Sequence, residues 1–539
     1  MFKRIHGKRQ LNLSAGLKKE RGWSRTTPPR CGVFRQALSL LCCLIFVGES
    51  SAALKRPNLL FVMTDQQSFD MIGSVNPQVK TPVLDTLAKE GIRFDHAIAN
   101  SPLCTPYRGM LMSGQHPLYN GCIRNDVPLL PNTTNRFAHV LTRAGYETAY
   151  VGKWHLYGGG TRVTGIPKGP NRQGFDEVFL SNNCTLDFRP DACYYWDDNN
   201  KKHFFKDVYP DKPWELEAQT RQAVEWFGQR DREKPFALFV SWHPPHNFGG
   251  DGCDDVPGRQ INYNVDVLDP ALLKPYEGQA IHLRPGTPVQ ESMRECSEKQ
   301  YRNYMAMVTA CDSALGRLVE QLKKQGVYDN TLIVFTSDHG DMLGSHGAQK
   351  PKTVPQDYSL RIPLVMHGPG LLAGRTSELL IGPMDIMPTV LGLMGLPVPA
   401  SVQGTNLSQA IRTGDDAAVA SLPIFMYYAP ATWRGVYTRE WTYARSVGSA
   451  TESYGVPINV LYNHKKDPAQ LHNLFGHPDH AEIQARLETQ TQAWMQHYGD
   501  RNYTMQDFEK AAKQAGLPSW INNYEHRPVD ILSRLEVVR

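Results

Sequence analysis

Four apolar runs in this chain each stop at a cluster of charged or polar residues, and that repeated junction restricts the folds open to it. Residues 58–63 lead into Thr64-Asp65-Gln66-Gln67, and 148–151 into Gly152-Lys153-Trp154-His155. Residues 236–242 lead into His243-Pro244-Pro245-His246, and 331–336 into Ser337-Asp338-His339-Gly340-Asp341. Short runs rich in Val, Ile, Leu and Phe read as buried strands of a parallel sheet. In open α/β sheets, ligands bind in the crevice beyond the carboxyl ends of the strands. Two carboxylates, a lysine and several histidines, far apart in sequence, are therefore expected along one sheet edge.

The spacing between these runs supports the same architecture. Helical signals at 82–90, closed by Gly91, and at 133–143, closed by Gly145, alternate with the strands and imply βαβ units. Residues 156–213 and 247–297 are rich in turn formers and read as two long surface insertions, a class of segment that is usually functional. Helices are expected at 214–229 and 300–326. Pro and Gly punctuate 397–404, which is taken as a domain boundary. Beyond it, short strand-like runs at 423–428, 433–438, 441–445 and 460–462 and a helix at 481–495 suggest a small α+β domain with an antiparallel sheet. The expected divisions are a leader (1–53), a catalytic domain (54–400) and a C-terminal subdomain (401–539).

The basic balance of the 539 residues is misleading. Residues 1–53 hold ten Lys/Arg against two Asp/Glu, a net of +8, and subtracting this from the overall +5 leaves a body of −3. Such a body has no electrostatic footprint for nucleic acid. Within the leader the apolar run 37–47 is shorter than a membrane span, and the small residues Ser50-Ser51-Ala52-Ala53 follow it. The order reads as a secretory signal, with a membrane anchor as the alternative, and places the mature chain in a periplasm or outside the cell. Of ten cysteines, three lie in the leader. If one of the remaining seven has a chemical role, six could pair in an oxidising compartment. No CxxC zinc or redox spacing occurs.

Cys104-Thr105-Pro106-Tyr107-Arg108-Gly109 is the most specific segment. Pro106 suits the first turn of a helix, whose backbone N–H groups favour anions, and Arg108 lies one turn on. The string alone would also fit a buried cysteine preceding a helix.

With its context, the chain resembles the type I sulfatases of the alkaline-phosphatase-like superfamily. Cys104-x-Pro106-x-Arg108 matches the family signature, in which the cysteine is oxidised to formylglycine, and Ser113-Gly114 is similar to its Thr-Gly ending. Asp65 matches a metal ligand after the first strand, and Asp338-His339-Gly340 the second metal segment. Lys153-Trp154-His155 matches Lys-x-His, His246 ends a His-x-Pro-His-like segment, and Asp467-Pro468 with Asn473-Leu474 resembles DPxExxNL. These matches run in consistent order from about residue 57 to 475. The resemblance implies a large mixed, mostly parallel sheet sandwiched by helices, a smaller C-terminal α+β domain, and maturation by a formylglycine-generating enzyme. Two departures stand out: Gln66 where many members have a second Asp, and Tyr107 where many have Ser. Gln66 with His339 resembles a subset that includes phosphonate and phosphate ester hydrolases.

The implied chemistry is physically coherent. A hydrated aldehyde carries two geminal hydroxyls. One can attack sulfur to give a covalent sulfate ester, and the other can expel sulfate and restore the aldehyde. A divalent cation facing position 104 lowers the nucleophile's pKa and polarises sulfuryl oxygens. Asp65, Asp338 and the Gln66 amide oxygen suit Ca²⁺, while the His339 nitrogen keeps Mn²⁺ open. Lys153 and a second lysine would hold sulfate oxygens, and counting back from Pro363 favours Lys352 over Lys350. His246 is the expected general acid and His155 the expected base.

Other residues keep two readings. His243 reads as a hydrogen-bonded loop residue, and Arg361 as a core brace. Asn125 fits a pocket wall or a turn, and Trp154 a sugar platform or simple packing. Tyr194-Tyr195-Trp196 is expected to stack on sugar, which favours a sulfated carbohydrate over a small aryl or choline ester. A phosphonate monoester or phosphodiester hydrolase is the alternative enzyme. A non-catalytic carbohydrate binder is disfavoured by the intact Asp65, Cys104, Arg108 and Asp338.

Overall fold

The computed structural model describes residues 56–132, 134–158, 165–185, 187–248, 263–288, 291, 294–428, 430 and 432–535. The leader, its apolar run and Cys253 lie outside the described residues.

The four apolar runs are adjacent strands. β1 (Asn58–Thr64) lies between β7 (Phe236–Ser241) and β8 (Thr331–Ser337), and β3 (Glu147–Lys153) flanks β7, all parallel. β2 (Ile92–Phe94), β4 (Val178–Asn182), β5 (Tyr194–Trp196), β6 (Lys202–Phe204), β9 (Leu364–His367) and β10 (Arg375–Ser377) complete a ten-stranded sheet in the order β10-β2-β9-β8-β1-β7-β3-β4-β5-β6. β9 runs antiparallel to β2 and β8, and β5 antiparallel to β4 and β6, so the sheet is mixed and mostly parallel.

Both faces are buried, which is why these strands read as unbroken apolar runs. Leu59, Phe61 and Met63 enter one core with Phe239, Leu332 and Val334. Leu60 and Val62 enter the other with Leu238, Val240, Ile333 and Phe335. Helices Cys104–Ser113, Phe137–Arg143 and Pro383–Leu393 cover the first face. Helices Pro82–Glu90, Glu215–Gln229 and the 31-residue Arg294–Lys324 cover the second. Among the described residues no helix is long and apolar enough to cross a membrane.

A second sheet of β11 (Ser421–Met426), β12 (Thr432–Thr438), β13 (Trp441–Val447) and β16 (Val460–Asn463) is antiparallel throughout. A separate hairpin of β14 (Glu452–Ser453) and β15 (Val456–Pro457) buries Val456 against Met342, Ala348 and Val354. Helix Ala481–Tyr498 covers one face, where Phe425, Val436 and Tyr443 meet Trp494 and Met495. The same core takes Met110 from helix Cys104–Ser113 and Leu118 beyond it, so the two sheets share apolar contacts.

Three expectations are corrected. The segment 156–213 is not only a surface excursion: it contributes β4, β5 and β6. The short run Val178–Asn182 lies among turn formers, and its strand character comes from pairing with β3. Helix Phe137–Arg143 starts four residues later than expected, at the Arg136 cap, where His139 Nδ1 accepts from Arg136 N at 3.3 Å. Three disulfides do not form among the six candidates. Cys122, Cys184, Cys193 and Cys311 are buried free thiols, whereas Cys296 is disulfide-bonded. A small buried thiol packs as an apolar side chain and needs no partner.

Register sets the active edge. Thr64 is level with Ser337, and Met63 and Gly152 are both level with Ser241, so Asp65, Asp338, Trp242 and Lys153 emerge side by side. Gly152 sits at φ 110°, and a Cβ there would meet the Ser241 carbonyl oxygen at 2.1 Å. Gly152→Ala is therefore expected to destabilise the protein by on the order of 3 kcal/mol, through forced separation of β3 from β7. Urea unfolding checks this, and a loss below about 1 kcal/mol would contradict the constraint.

Candidate active site

Helix Cys104–Ser113 is buried along its whole length, with Cys104 in its first turn facing the strand ends. Arg108, one turn on and 1% exposed, reaches four groups from four strand ends. Its Nε donates to Asp338 Oδ2 at 3.0 Å, and its Nη2 contacts Asp65 Oδ2 at 3.1 Å and Asp338 Oδ2 at 2.9 Å. Its Nη1 donates to the Lys153 carbonyl oxygen at 3.1 Å and to Ser241 Oγ at 2.7 Å. Only a planar fork with five donors can serve all of them. Burial opposes the guanidinium charge, but Asp338 and Asp65 more than offset it and raise the Arg108 pKa.

Around Cys104 Sγ lie His339 Nε2 at 3.2 Å, Lys352 Nζ at 3.2 Å and Asp65 Oδ1 at 3.8 Å. Lys153 Nζ donates to Asp65 Oδ2 at 2.5 Å, and Lys352 Nζ also lies 3.1 Å from His339 Nε2 and 3.3 Å from His246 Nε2. Burial and the Asp65 charge oppose ionisation of the Cys104 thiol. Lys153, Lys352 and His339 overcome them and hold its pKa well below the usual thiol value. Asp65 is also held low despite burial, chiefly by Lys153, whereas burial and the Asp65 charge raise Asp338.

This donor set fits a divalent cation. Ligand atoms of Asp65, Cys104, Asp338 and His339 all lie within 4.8 Å of one another. His339 Nδ1 donates to the Gly340 carbonyl oxygen at 2.9 Å, so Nε2 is the nitrogen that faces the carboxylates, 3.6 Å from Asp65 Oδ1 and 3.5 Å from Asp338 Oδ1, and in the neutral ring it can ligate a cation. The Gln66 amide nitrogen donates to Asp341 Oδ2 at 2.8 Å and Asn247 Oδ1 at 3.0 Å. Acceptors there fix which end of the amide is which, and Gln66 Oε1 is left buried without a partner. A cation between Asp65 and Asp338 would also relieve the repulsion that raises Asp338.

The cavity above these groups has a volume of about 420 Å³, inside the range of ligand sites. Gln66, Cys104, Lys153, His155, His246 and Lys352 all line it. His155 Nε2 lies 3.0 Å from Asp126 Oδ1, so Nδ1 is the nitrogen without a hydrogen-bond partner. Burial opposes the His155 charge, but Cys184 and Asp126 raise its pKa to about 10. His246 Nδ1 donates to the Asn247 carbonyl oxygen at 2.8 Å, and burial and Lys352 push its pKa down to about 3.

The two lysines weighed in the sequence take different places. Lys352 reaches Cys104, while Lys350 lies in the outer wall with its ammonium 5.8 Å from the Tyr454 ring centre. Asn125 lines the cavity, as the pocket-wall reading expects, and its Oδ1 accepts from Thr105 N at 3.0 Å. His243 is fully buried, near Glu215 and Cys184. Arg361 braces the core, donating to the Asp95 carbonyl oxygen and stacking on Phe69.

Two aromatic expectations fail as sugar platforms. Trp154 is fully buried among Tyr150, Phe175 and Phe179. Tyr194–Trp196 forms β5 near the sheet edge and does not line the cavity. The cavity's aromatic residues are Tyr428 and Tyr454, from the C-terminal sheet region. Asp126, Cys184 and Asp341 were also unforeseen, since no spacing marks a residue whose role is to hold another side chain.

The chain belongs to the sulfatase family: the family's sequence profile matches residues 57–396, and that of the N-sulphoglucosamine sulphohydrolase C-terminal region matches 344–497. It is a sulfuric ester hydrolase of the alkaline-phosphatase-like superfamily. It is 30% identical to the ulvan-active sulfatase of Formosa agariphila over 86% of this chain and 87% of that one. It is 29% identical to the endo-4-O-sulfatase of Bacteroides thetaiotaomicron over 78% and 88%. A solved structure in complex with its substrate D-glucosamine-2-N,6-O-disulfate shares 25% identity, with a TM-score of 0.66 over 83% of this chain and 99% of that one.

Removing the fork would leave two buried carboxylates facing each other. Arg108→Ala is expected to cost about 3–5 kcal/mol of stability, read by denaturant titration, and Arg108→Lys less. Equal stability of Arg108→Ala and the parent would show that the fork does not hold the strand ends together.

Proposed function

We propose that this protein is an exported sulfatase that removes sulfate from a sulfated carbohydrate, with Cys104 matured to formylglycine by a formylglycine-generating enzyme. The observation that carries the reading is the gathering of His339 Nε2, Lys352 Nζ and Asp65 around Cys104 Sγ, which with Lys352 lines one cavity. The sulfated-carbohydrate substrates of the relatives support the choice of leaving group. Asp65, Gln66, Asp338 and His339 would hold the cation, Ca²⁺ ahead of Mn²⁺ because three of the four donors are oxygens, with residue 104 facing it. Bound there, a divalent cation lowers the pKa of the nucleophile and polarises the sulfuryl oxygens. A formylglycine at 104 supplies hydrated-aldehyde hydroxyls as nucleophile and as the means of releasing sulfate.

The chain's own residues do the rest. Arg108 keeps Asp65 and Asp338 at their mutual distance. Lys153 and Lys352 hold sulfuryl oxygens and stabilise developing negative charge. The Asp126 contact leaves His155 Nδ1 as the atom that takes a proton from residue 104 when sulfate departs. His155 and Cys184 form a coupled pair, the thiol lowered by the imidazole and the imidazole raised by the thiol. His155 acts as a base in the state of that pair in which Nδ1 is unprotonated. His246 Nε2 gives a proton to the leaving alcohol. Lys352 depresses His246 in the free protein, and an anionic sulfuryl group drawn to Lys352 offsets that charge and restores the acid form. Lys153-x-His155 favours sulfate over phosphonate or phosphodiester. The domain boundary is placed at 397–404.

Trypsin should release peptide 94–108, which contains one cysteine. Mass spectrometry of active protein is expected to show the thiol-to-aldehyde mass loss there. A fully active preparation carrying only unmodified Cys104 would overturn the mechanism. Asp65→Ala and Asp338→Ala should lose bound metal and turnover together, while Lys153→Ala keeps metal and loses turnover. Full metal occupancy in both aspartate variants would remove the cation assignment.

His246→Asn is expected to lower kcat on a sugar sulfate by about 10²–10⁴-fold. It should lower kcat far less on nitrophenyl sulfate, whose phenolate leaves without a proton. The acid form of His246 exists below its pKa, so kcat/KM should decline as pH rises from about 3, while kcat persists to higher pH. Equal losses on both leaving groups would exclude the acid role.

A further inference from the structure

The cavity has a second wall that the sulfate chemistry does not use. Lys350 lines it and forms no ion pair with any described carboxylate, and its ammonium lies 5.8 Å from the Tyr454 ring centre. Tyr454 and Tyr428 line it from the C-terminal sheet region, and the Arg124 guanidinium lies 5.1 Å from the Tyr428 ring centre. Thr353 lines it as well, a residue only 5% exposed whose hydroxyl is buried without a hydrogen-bond partner.

Two of these residues stand in costly backbone conformations. Thr353 is β-branched yet sits at φ 77°. Tyr454 and Gly455 form the two-residue turn between β14 and β15, at φ 50° and 79°. A hairpin of this hand favours Asn, Asp or Gly at the first of those positions, and tyrosine is a poor choice for the turn alone. The Tyr454 carbonyl oxygen accepts from Gln349 N at 3.0 Å, which fixes the turn beside Lys350. Backbone strain that persists at a cavity wall is characteristic of ligand clamps. A cation without an ion-pair partner and two half-buried phenols beside it match a sugar ring that bears its own negative charge.

We infer that Lys350, Thr353, Tyr428 and Tyr454 form a subsite for a second anionic group on the substrate, a carboxylate or a further sulfate ester beside the one removed, with Lys350 as its counter-charge. The inference rests on the sulfated-carbohydrate reading above, and it narrows that class to saccharides carrying more than one charge near the scissile bond.

Inhibition of nitrophenyl sulfate turnover tests the subsite without requiring that any sugar be hydrolysed. The competitors are monosulfated hexoses, the same hexoses with a second sulfate, and monosulfated uronic acids. The doubly anionic sugars should bind roughly five- to tenfold more tightly than the monosulfated ones. Lys350→Ala should collapse that ratio toward one, and Lys350→Arg should keep it. Tyr454→Asn suits the turn and should hold or raise Tm while weakening sugar binding, whereas a purely structural tyrosine would leave binding unmoved. A gain confined to uronic acids identifies a carboxylate, a gain confined to disulfates a sulfate, and a gain in both charge alone. A ratio of one in the parent protein, or a ratio untouched by Lys350→Ala, overturns the subsite while monosulfated sugars still compete. If no sugar competes while nitrophenyl sulfate is hydrolysed, the carbohydrate reading itself falls, and the subsite with it.

Discussion

The Arg108 fork is the constraint on which the rest of the site depends. Asp65 and Asp338 follow neighbouring parallel strands whose ends are in register, so the sheet forces two buried carboxylates together. Left alone they would repel, and one would take up a proton. Arg108 bonds both carboxylates, the Lys153 carbonyl oxygen and Ser241 Oγ, and so joins β1, β3, β7 and β8 at one guanidinium. Its place one turn after Cys104 ties the first turn of the helix to the same point. A lysine there would supply charge but not the planar geometry that contacts all four strands at once.

The C-terminal subdomain completes the site by holding the segment that carries Lys352. Trp433 Nε1 donates to the Thr353 carbonyl oxygen at 3.0 Å, and Gln356 Nε2 to the Pro457 carbonyl oxygen at 2.8 Å. Gln470 both accepts from Asp357 N and donates to Asp357 Oδ1, each at 2.8 Å. An amide can do both at once, whereas a carboxylate at position 470 could only accept and would face the Asp357 charge. The lysine nearest Cys104 is thus positioned from the second sheet, although its own chain segment belongs to the first.

What could be read from the sequence follows from how local each signal is. Both-face burial left the central strands as uninterrupted apolar runs, and the polar residues after them fell at the sheet edge as a direct result of register. The Lys352 position could be counted from the Pro363 motif because the connecting segment is short. Trp154 was ambiguous because its packing partners, Phe175 and Phe179, come from a segment that reads as surface loop. Tyr194–Trp196 looked like a sugar platform because alternation over three residues cannot distinguish a short strand of the sheet from an exposed aromatic cluster. Asp126 was illegible because holding His155 requires only one oxygen at the right distance. Tyr454-Gly455 had a turn signal in its glycine, but nothing in the sequence brings residue 454 to the side of residue 350.

The site therefore divides by origin. Its floor is built from strand ends and one buried helix, where register and the Arg108 fork leave little freedom for the groups that meet Cys104. Its outer wall comes from a hairpin turn, a strained threonine and the end of β11, joined to the floor by a few hydrogen bonds. A change in the wall alters what the cavity accepts without moving the carboxylates, because no wall residue bonds to Arg108, Asp65 or Asp338. A change in the floor cannot be so contained, since each of its charges sets the ionisation of the next: Lys153 holds Asp65 low, Asp65 raises Asp338, and Lys352 depresses His246. Substrate choice can vary on such a scaffold only where strain and unpaired groups are tolerated, which is at the rim, while the chemistry stays fixed by a network in which no charge is independent of its neighbours.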